Sequence, residues 1–251
     1  MVHHSLTEVP RSFKEAVDWL MALRDIDGEK SLRAIGDAVY KFLANKPVGK
    51  MEVPALEEVK RISQQFLEEP ELKENSYVKE LLNRYKTPMN KTDNMWWKSF
   101  RAFNGSNYSN FIKTGGLNAE KIARNVDHVT YGCAFLLDNI KRHDQYKSAY
   151  TPEATWETSC TKDPEACAVI LVGIAPMLYV GLNALWDAMN GVIWHSNDNT
   201  RERLVDVLKA LGYVEPECQI RNTPYVFRGL RHVDRDMLEK LYDLSGFWAF
   251  Y

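Results

Sequence analysis

The stretch Ala166–Trp186, ACAVILVGIAPMLYVGLNALW, runs for 21 residues without an Asp, Glu, Lys or Arg. It is long enough to cross a bilayer, and its composition also suits a helix buried on every side in an all-α domain. Two glycines, a proline and an asparagine lower its apolarity, and no cluster of Lys or Arg directly follows it. We therefore favour an internal helix over about residues 166–189 and no direct membrane span.

The residues at the start of this stretch give a helix signal. Asp163 supplies an N-cap oxygen, and Pro164 fits the first helical position because its missing N–H is not needed there. Pro176 removes a backbone donor from the interior of the helix, so we expect a kink near the middle.

The chain of 251 residues is 45% hydrophobic, which is enough to bury a sizeable core. Its formal net charge of -2 argues against a general nucleic-acid binder, because such proteins usually carry a basic excess. No apolar run follows Met1, so no signal peptide is visible. Either the protein stays inside its cell, or a signal has been removed.

Amphipathic patterns surround the apolar stretch, and each has one face that needs a partner. Four of them precede residue 88, with starts near Ser12, Leu32, Pro54 and Ser76. We predict a single mainly helical domain over residues 1–251. The pattern also allows this domain to be divided into an N-terminal four-helix subdomain at 1–88 and a helical core at 89–251.

The second half of the chain continues the helical texture. Asn118 can cap a long helix to about Arg142, Gly212 can end another, and Asp234 can cap a last one. Residues 213–231 look irregular because they contain two prolines. No strand pattern is convincing, so the predicted fold is an all-α helical bundle packed around the central apolar helix.

Four cysteines allow three pairings. Cys160 and Cys167 enclose six residues, which is a feasible bridge, and Cys133 with Cys218 would form the other. The alternative is four free thiols, with Cys133 packed as a small hydrophobe on an apolar helix face. No C-x-x-C pair exists, so we predict no metal site.

The motifs of common active sites are absent from the sequence. It contains no G-x-S-x-G, no G-x-x-x-x-G-K-[ST], no G-x-G-x-x-G and no H-E-x-x-H. We therefore expect a protein that is not an enzyme, and we assign no catalytic residue and no cofactor.

The first candidate binding stretch is residues 96–103, where aromatic rings alternate with cations. Trp and Arg are favoured anchors of protein interfaces, so Trp96, Trp97 and Arg101 are candidates for contact with a partner. The same pattern also suits a helix whose aromatic side chains pack inward.

The second candidate stretch is residues 221–235. Arg221, Arg228 and Arg231 lie beside Tyr225 and Phe227, and this local positive excess suits an anionic partner. The alternative is a solvated loop whose arginines pair with acidic residues elsewhere.

The run Pro10–Leu20, PRSFKEAVDWL, resembles a segment near the start of the variant erythrocyte surface antigens of piroplasm parasites and related proteins. The following run LRAIGDAVY, which ends at Tyr40, resembles the next helix of that group. The similarity covers roughly residues 6–88. The long cysteine-rich regions and the C-terminal anchor of the large members are missing, which leaves a smaller relative or an isolated domain.

The resemblance implies a secreted or exported parasite protein of the infected red cell, at its surface or in its lumen, with a role in adhesion or antigenic variation. The expected partner is a protein or the host-cell surface. No catalytic residue is carried over from this group. The alternative is an intracellular helical scaffold protein with reduced cysteines, located in the cytoplasm.

Overall fold

The computed structural model describes residues 2–24, 27–46, 51–87, 112, 116–195 and 197–251. Trp96, Trp97 and Arg101 lie outside these residues, so the first candidate binding stretch stays a prediction.

In the described part of the chain, every regular element is a helix, and the extended backbone makes only isolated bridges, His3 with Tyr150 and Lys141 with Cys218. The all-α prediction is confirmed. The helices are α1 (Phe13–Arg24), α2 (Gly28–Leu43), α3 (Pro54–Leu67), α4 (Pro70–Lys73), α5 (Ser76–Lys86), α6 (Ala119–Ile140), α7 (Trp156–Ser159), α8 (Pro164–His195), α9 (Asp198–Ala210), α10 (Thr223–Gly229), a 3₁₀ turn (Leu230–His232), α11 (Arg235–Leu244) and α12 (Phe247–Phe250).

Helix α8 is the centre of the bundle. It contacts α1, α2, α3, α9, α10 and α11, and its side chains are buried on all sides over most of its length. Among the described helices it alone is long and apolar enough to cross a membrane, and 89% of its most apolar window is buried inside the protein. This burial favours the core helix over a direct membrane span. The Asp163 side chain caps the helix, accepting from the Ala166 N–H at 3.1 Å as predicted.

Two glycines of α8 allow its neighbours to approach closely. A Cβ on Gly173 would clash with Val59 of α3, and one on Gly181 would clash with the Phe13 ring of α1. The helix continues through Pro176. In the turn before this proline, Ser63 of α3 donates a hydrogen bond to the Gly173 carbonyl.

The three long helices α1, α2 and α3 pack mainly on later helices. The most extensive contact of α2 is with α6, and that of α3 is with α8, while α2 also lies on α8. One continuous hydrophobic core joins all of these elements. The four predicted helices are present, whereas the division of the chain at residue 88 stays a prediction.

Several predicted caps are present. Asn118 and Asp234 each accept from the backbone N–H three residues on, at 2.8 Å. Ser12 likewise accepts from the Glu15 N–H. Gly212 follows α9 with a φ of 96°, the left-handed conformation typical of a helix C′ position.

Residues 213–231 were expected to be irregular, and this expectation is wrong for its second half, which forms α10 and most of the 3₁₀ turn. Pro224 lies in the first turn of α10, where no intrahelical donor is required, so it starts a helix rather than breaking one. In the same way, Pro70 starts the one-turn helix α4.

Both chain ends in the structure are packed. Near the N-terminus, His3 donates its backbone N–H to Ala149 and its carbonyl accepts from Thr151. The Trp19 indole donates to the Leu6 carbonyl at 2.8 Å. At the other end, the aromatic side chains of residues 247–251 are buried in the core.

The cysteine prediction is half confirmed. Cys160 and Cys167 form a disulfide with Cα atoms 5.9 Å apart, which ties the segment before α8 to the first turn of that helix. The predicted Cys133–Cys218 bond is wrong, because both thiols are free and buried. The backbone of Cys218 forms a bridge with that of Lys141, just after α6. Cys133 lies eight residues before Lys141, which is about 12 Å along the helix axis.

Candidate functional site

The structure divides the arginine-rich stretch 221–235 into two places. Arg221 precedes α10, lines a cavity, and pairs with Glu202 at 3.1 Å and Glu215 at 3.7 Å. Arg228 and Arg231 lie later, in α10 and in the 3₁₀ turn, and both are exposed. The expectation that these arginines pair with acidic residues therefore holds for Arg221. In the described part of the chain, no acidic partner lies within ion-pair distance of Arg228 or Arg231.

Exposed aromatic rings share this part of the surface with Arg228 and Arg231. Tyr225 and Phe227 of α10 remain 37% and 40% exposed, and the Arg228 guanidinium lies 5.8 Å from the centre of the Tyr225 ring. Tyr131 of α6 is 44% exposed, and its ring meets the edge of His232 at 5.1 Å. We call this set the aromatic–arginine surface: Tyr131, Tyr225, Phe227, Arg228 and Arg231.

The local sequence explains why this surface is held in place. Val226 and Leu230 alternate with the exposed residues and are fully buried, so they fix α10 to the bundle. Gly229 packs against Leu136 of α6 so closely that a Cβ there would come within 3.0 Å of its side chain. His232 also contacts Phe135, with ring centres 4.3 Å apart. The exposed side chains therefore stand on a well-anchored helix, as a preorganised binding surface requires.

A second cluster joins α6 to α11. His128, Asp234 and Asp236 place one ligand atom each within 4.8 Å of one another, a spacing compatible with a metal ion. The Lys240 ammonium lies among them, 3.0 Å from the imidazole of His128 and 2.6 Å from Asp236. Lys240 thus supplies the positive charge that a metal would bring. We interpret the cluster as an ion-pair network that fixes α11 to α6.

A buried polar cluster ties α1 to residues 146–149. The Asp18 carboxylate accepts from the Tyr146 hydroxyl at 2.6 Å, from the Ala149 N–H at 2.8 Å and from Lys14 at 3.3 Å. Burial raises the pKa of Asp18, and Lys14 and Tyr146 oppose that shift. Because both carboxylate oxygens are occupied by these donors, we assign the cluster a structural role.

The final turn of α8 is exposed. Trp194 is 79% exposed and Ile193 is 49% exposed, although the same helix is buried for most of its length. Trp194 lies outside both predicted binding stretches. Its position just before the Asn197 cap was the available sequence signal, because a helix end next to a turn usually lies at the surface.

The chain was compared with protein-family models, with curated proteins and with solved structures, and none of the three comparisons found a match. The resemblance of residues 6–88 to piroplasm surface antigens therefore stays a prediction.

Proposed function

We propose that this protein is a non-enzymatic interaction module that binds a protein partner on a host-cell surface through the aromatic–arginine surface. The observation that carries the proposal is that three aromatic rings and two arginines are exposed on α6, α10 and the adjoining 3₁₀ turn, with the Arg228 guanidinium over the Tyr225 ring. Aromatic residues and arginine are the side chains that most often dominate interface energetics, since they combine a large contact area with directional polar groups.

The charge of the surface favours a partner with acidic groups. Arg228 and Arg231 have guanidinium donors that form bidentate hydrogen bonds with carboxylates. Nearby Asp234 already caps α11 through its hydrogen bond to Met237, so it does not neutralise the arginines directly. An acidic protein segment with apolar side chains would match both the guanidinium groups and the rings.

The cysteine state supports export over the intracellular scaffold. Disulfides persist in oxidising compartments and are rare in the cytosol, and the Cys160–Cys167 bond encloses the start of the central helix. The free Cys133 and Cys218 suit either compartment, because burial raises the pKa of each thiol to about 12 and keeps it protonated and unreactive at neutral pH. The piroplasm resemblance supplies the further proposal of an exported antigen of the infected red cell.

The binding test compares two pairs of exposed arginines. We would measure binding of labelled protein to intact red cells for the parent, for Arg228→Ala/Arg231→Ala and for Phe227→Ala. The matched control is Arg33→Ala/Arg124→Ala, which removes two exposed arginines whose partners are glutamates on their own helices. An interface anchor typically contributes about 2 kcal/mol or more, so each surface variant should bind far more weakly while the control binds as the parent.

Circular dichroism melting separates lost contact from lost fold. All variants should melt with the parent, because the substituted side chains are exposed. If the surface variants bind red cells as well as the parent does, or if the control loses binding equally, the aromatic–arginine surface is not the contact.

The compartment is tested by counting thiols in protein purified from its native source without reductant. Alkylation after denaturation should label Cys133 and Cys218 only, and reduction should then add the mass of two hydrogen atoms and expose Cys160 and Cys167. Recovery of all four as free thiols would favour the intracellular scaffold.

A further inference from the structure

A cavity of about 610 Å³ opens beside the end of α8, and none of its lining residues belongs to the aromatic–arginine surface. Its wall comes from four separate parts of the chain: Arg142 after α6, Val192 in the last turn of α8, Arg201 in the first turn of α9, and several residues between 215 and 224. This volume lies in the range of roughly 300–1,000 Å³ that is typical of small-molecule sites.

Arginines dominate the lining. Arg142, Arg201 and Arg221 contribute three positive charges, against Glu215 in the lining and Glu202, which pairs with Arg221, so the local excess is one positive charge. This local excess occurs in a chain whose formal net charge is -2, so it does not follow from the overall composition. The rest of the wall is polar, with the amides of Gln219 and Asn222, or small and apolar, with Val192 and Pro224.

Arg142 and Arg221 are attached to the bundle in different ways, the first through its backbone and the second through its side chain. Arg142 is anchored through its backbone, whose N–H donates to the Glu217 carbonyl at 2.8 Å. Its side chain is exposed, and within the described residues its guanidinium makes no ion pair. Arg221 is held by Glu202 and Glu215, which orients its guanidinium along the wall. The Arg221 side chain is therefore in place before any ligand arrives, which lowers the entropic cost of binding at that part of the wall.

We propose that this cavity binds the phosphate group of a phosphorylated small molecule. The planar guanidinium fork matches phosphate oxygens bidentately, and a phosphate demands several donors from different directions. The volume exceeds that of a phosphate ion, so the remaining space receives the organic part of the ligand against Val192 and Pro224. The same phosphate chemistry occurs in soluble phosphate esters and in phospholipid headgroups.

Inorganic pyrophosphate is the first probe, titrated into the purified chain by calorimetry at low salt. We expect saturable binding that weakens as salt rises, and at least a tenfold loss of affinity in Arg142→Ala. Arg124→Ala is the matched control, because this exposed arginine lies on α6 but outside the cavity. Arg142→Lys should retain part of the affinity, since it keeps the charge and loses the fork.

Two further arms identify the source of the phosphate. Soluble glycerol 3-phosphate is compared with phosphatidylcholine vesicles that contain a phosphatidylinositol phosphate. Binding of a soluble ligand should be weakened by Arg142→Ala and not by Trp194→Ala. Binding of a lipid headgroup should be weakened by both substitutions, because the exposed Trp194 would contact the membrane. Either pattern supports the phosphate site.

The proposal is overturned if the parent binds none of these probes, or if Arg142→Ala and Arg124→Ala bind pyrophosphate equally. The Arg228→Ala/Arg231→Ala variant should bind pyrophosphate as the parent does. The red-cell binding experiment can therefore contradict the proposed partner surface, and the pyrophosphate experiment can contradict the phosphate site, independently of each other.

Discussion

Helix α8 has two ends with opposite surroundings. From Cys167 to Leu178 every residue is buried, and α1, α2 and α3 cover the helix. Between Asn190 and His195 only Val192 is buried, and Trp194 is 79% exposed. Both segments contain large apolar residues, although the exposed one also carries Asn190 and His195, so composition alone does not explain the exposure of Ile193 and Trp194.

The difference arises from which neighbours reach each end. The buried segment contains Gly173, and Gly181 follows that segment three residues after Leu178; their missing side chains admit α3 and α1. The exposed segment contains Gly191, where a Cβ would have ordinary contact with Thr200 at 3.9 Å and nothing closer. Close packing, and not hydrophobicity alone, therefore decides which part of the helix belongs to the core.

The largest expected effect is at the buried end. Leu178→Ala removes a fully buried side chain and leaves a cavity, so we expect the free energy of unfolding to fall by about 2–5 kcal/mol. Urea unfolding measures this. A loss below 1 kcal/mol would mean that α8 is not tightly packed at this point.

The disulfide should follow. Replacing Cys160 and Cys167 by Ala removes the bond that restrains the start of α8, at an expected cost of about 2–3 kcal/mol for a loop of this length. Reductant should lower the stability of the parent and leave the double variant unchanged. If both proteins respond equally to reductant, the disulfide does not contribute to the stability of the parent.

The glycines give the sharpest version of the comparison. Gly181→Ala places a methyl group against the Phe13 ring and should destabilise the protein by about 1–3 kcal/mol. Gly191→Ala meets no close neighbour and should stabilise by about 0.5–1 kcal/mol, because alanine is the better helix former. Thermal melts of the two variants should show a lower melting temperature for Gly181→Ala and a higher one for Gly191→Ala. Equal shifts in melting temperature would contradict the packing argument.

The smallest effect belongs to the exposed end. Trp194→Ala should change stability by no more than about 0.5 kcal/mol, since the ring is mostly in solvent. A loss similar to that of Leu178→Ala would show that this ring packs on a partner in solution, for example a second copy of the chain.

Features set by local patterns were predictable from the sequence. The Asp163 cap, the buried helix and the short Cys160–Cys167 bridge each depend on residues close together in the chain. The Cys133–Cys218 prediction failed because the pairing of Cys218 with Lys141 is set by tertiary packing, which elimination among cysteines does not reveal.

The candidate sites show the same limit. Tyr225, Phe227, Arg228 and Arg231 are close in sequence, so their grouping was visible before the fold. The membership of Tyr131 was not predictable, because this residue lies on α6, far away in the sequence, and meets the segment only through the contact of its ring with His232. Arg142 and Arg201 are separated by 59 residues and meet only because α8 and α9 return the chain to the end of α6.

The central position of α8 also has a consequence for how the chain is made. Helices α1 to α3 leave the ribosome well before residues 164–195, on which their apolar faces come to rest. The backbone hydrogen-bond partners of His3, Ala149 and Thr151, are likewise synthesised much later. During synthesis these helices are therefore made before the helix that covers their apolar faces, which makes the nascent chain a natural target for chaperones.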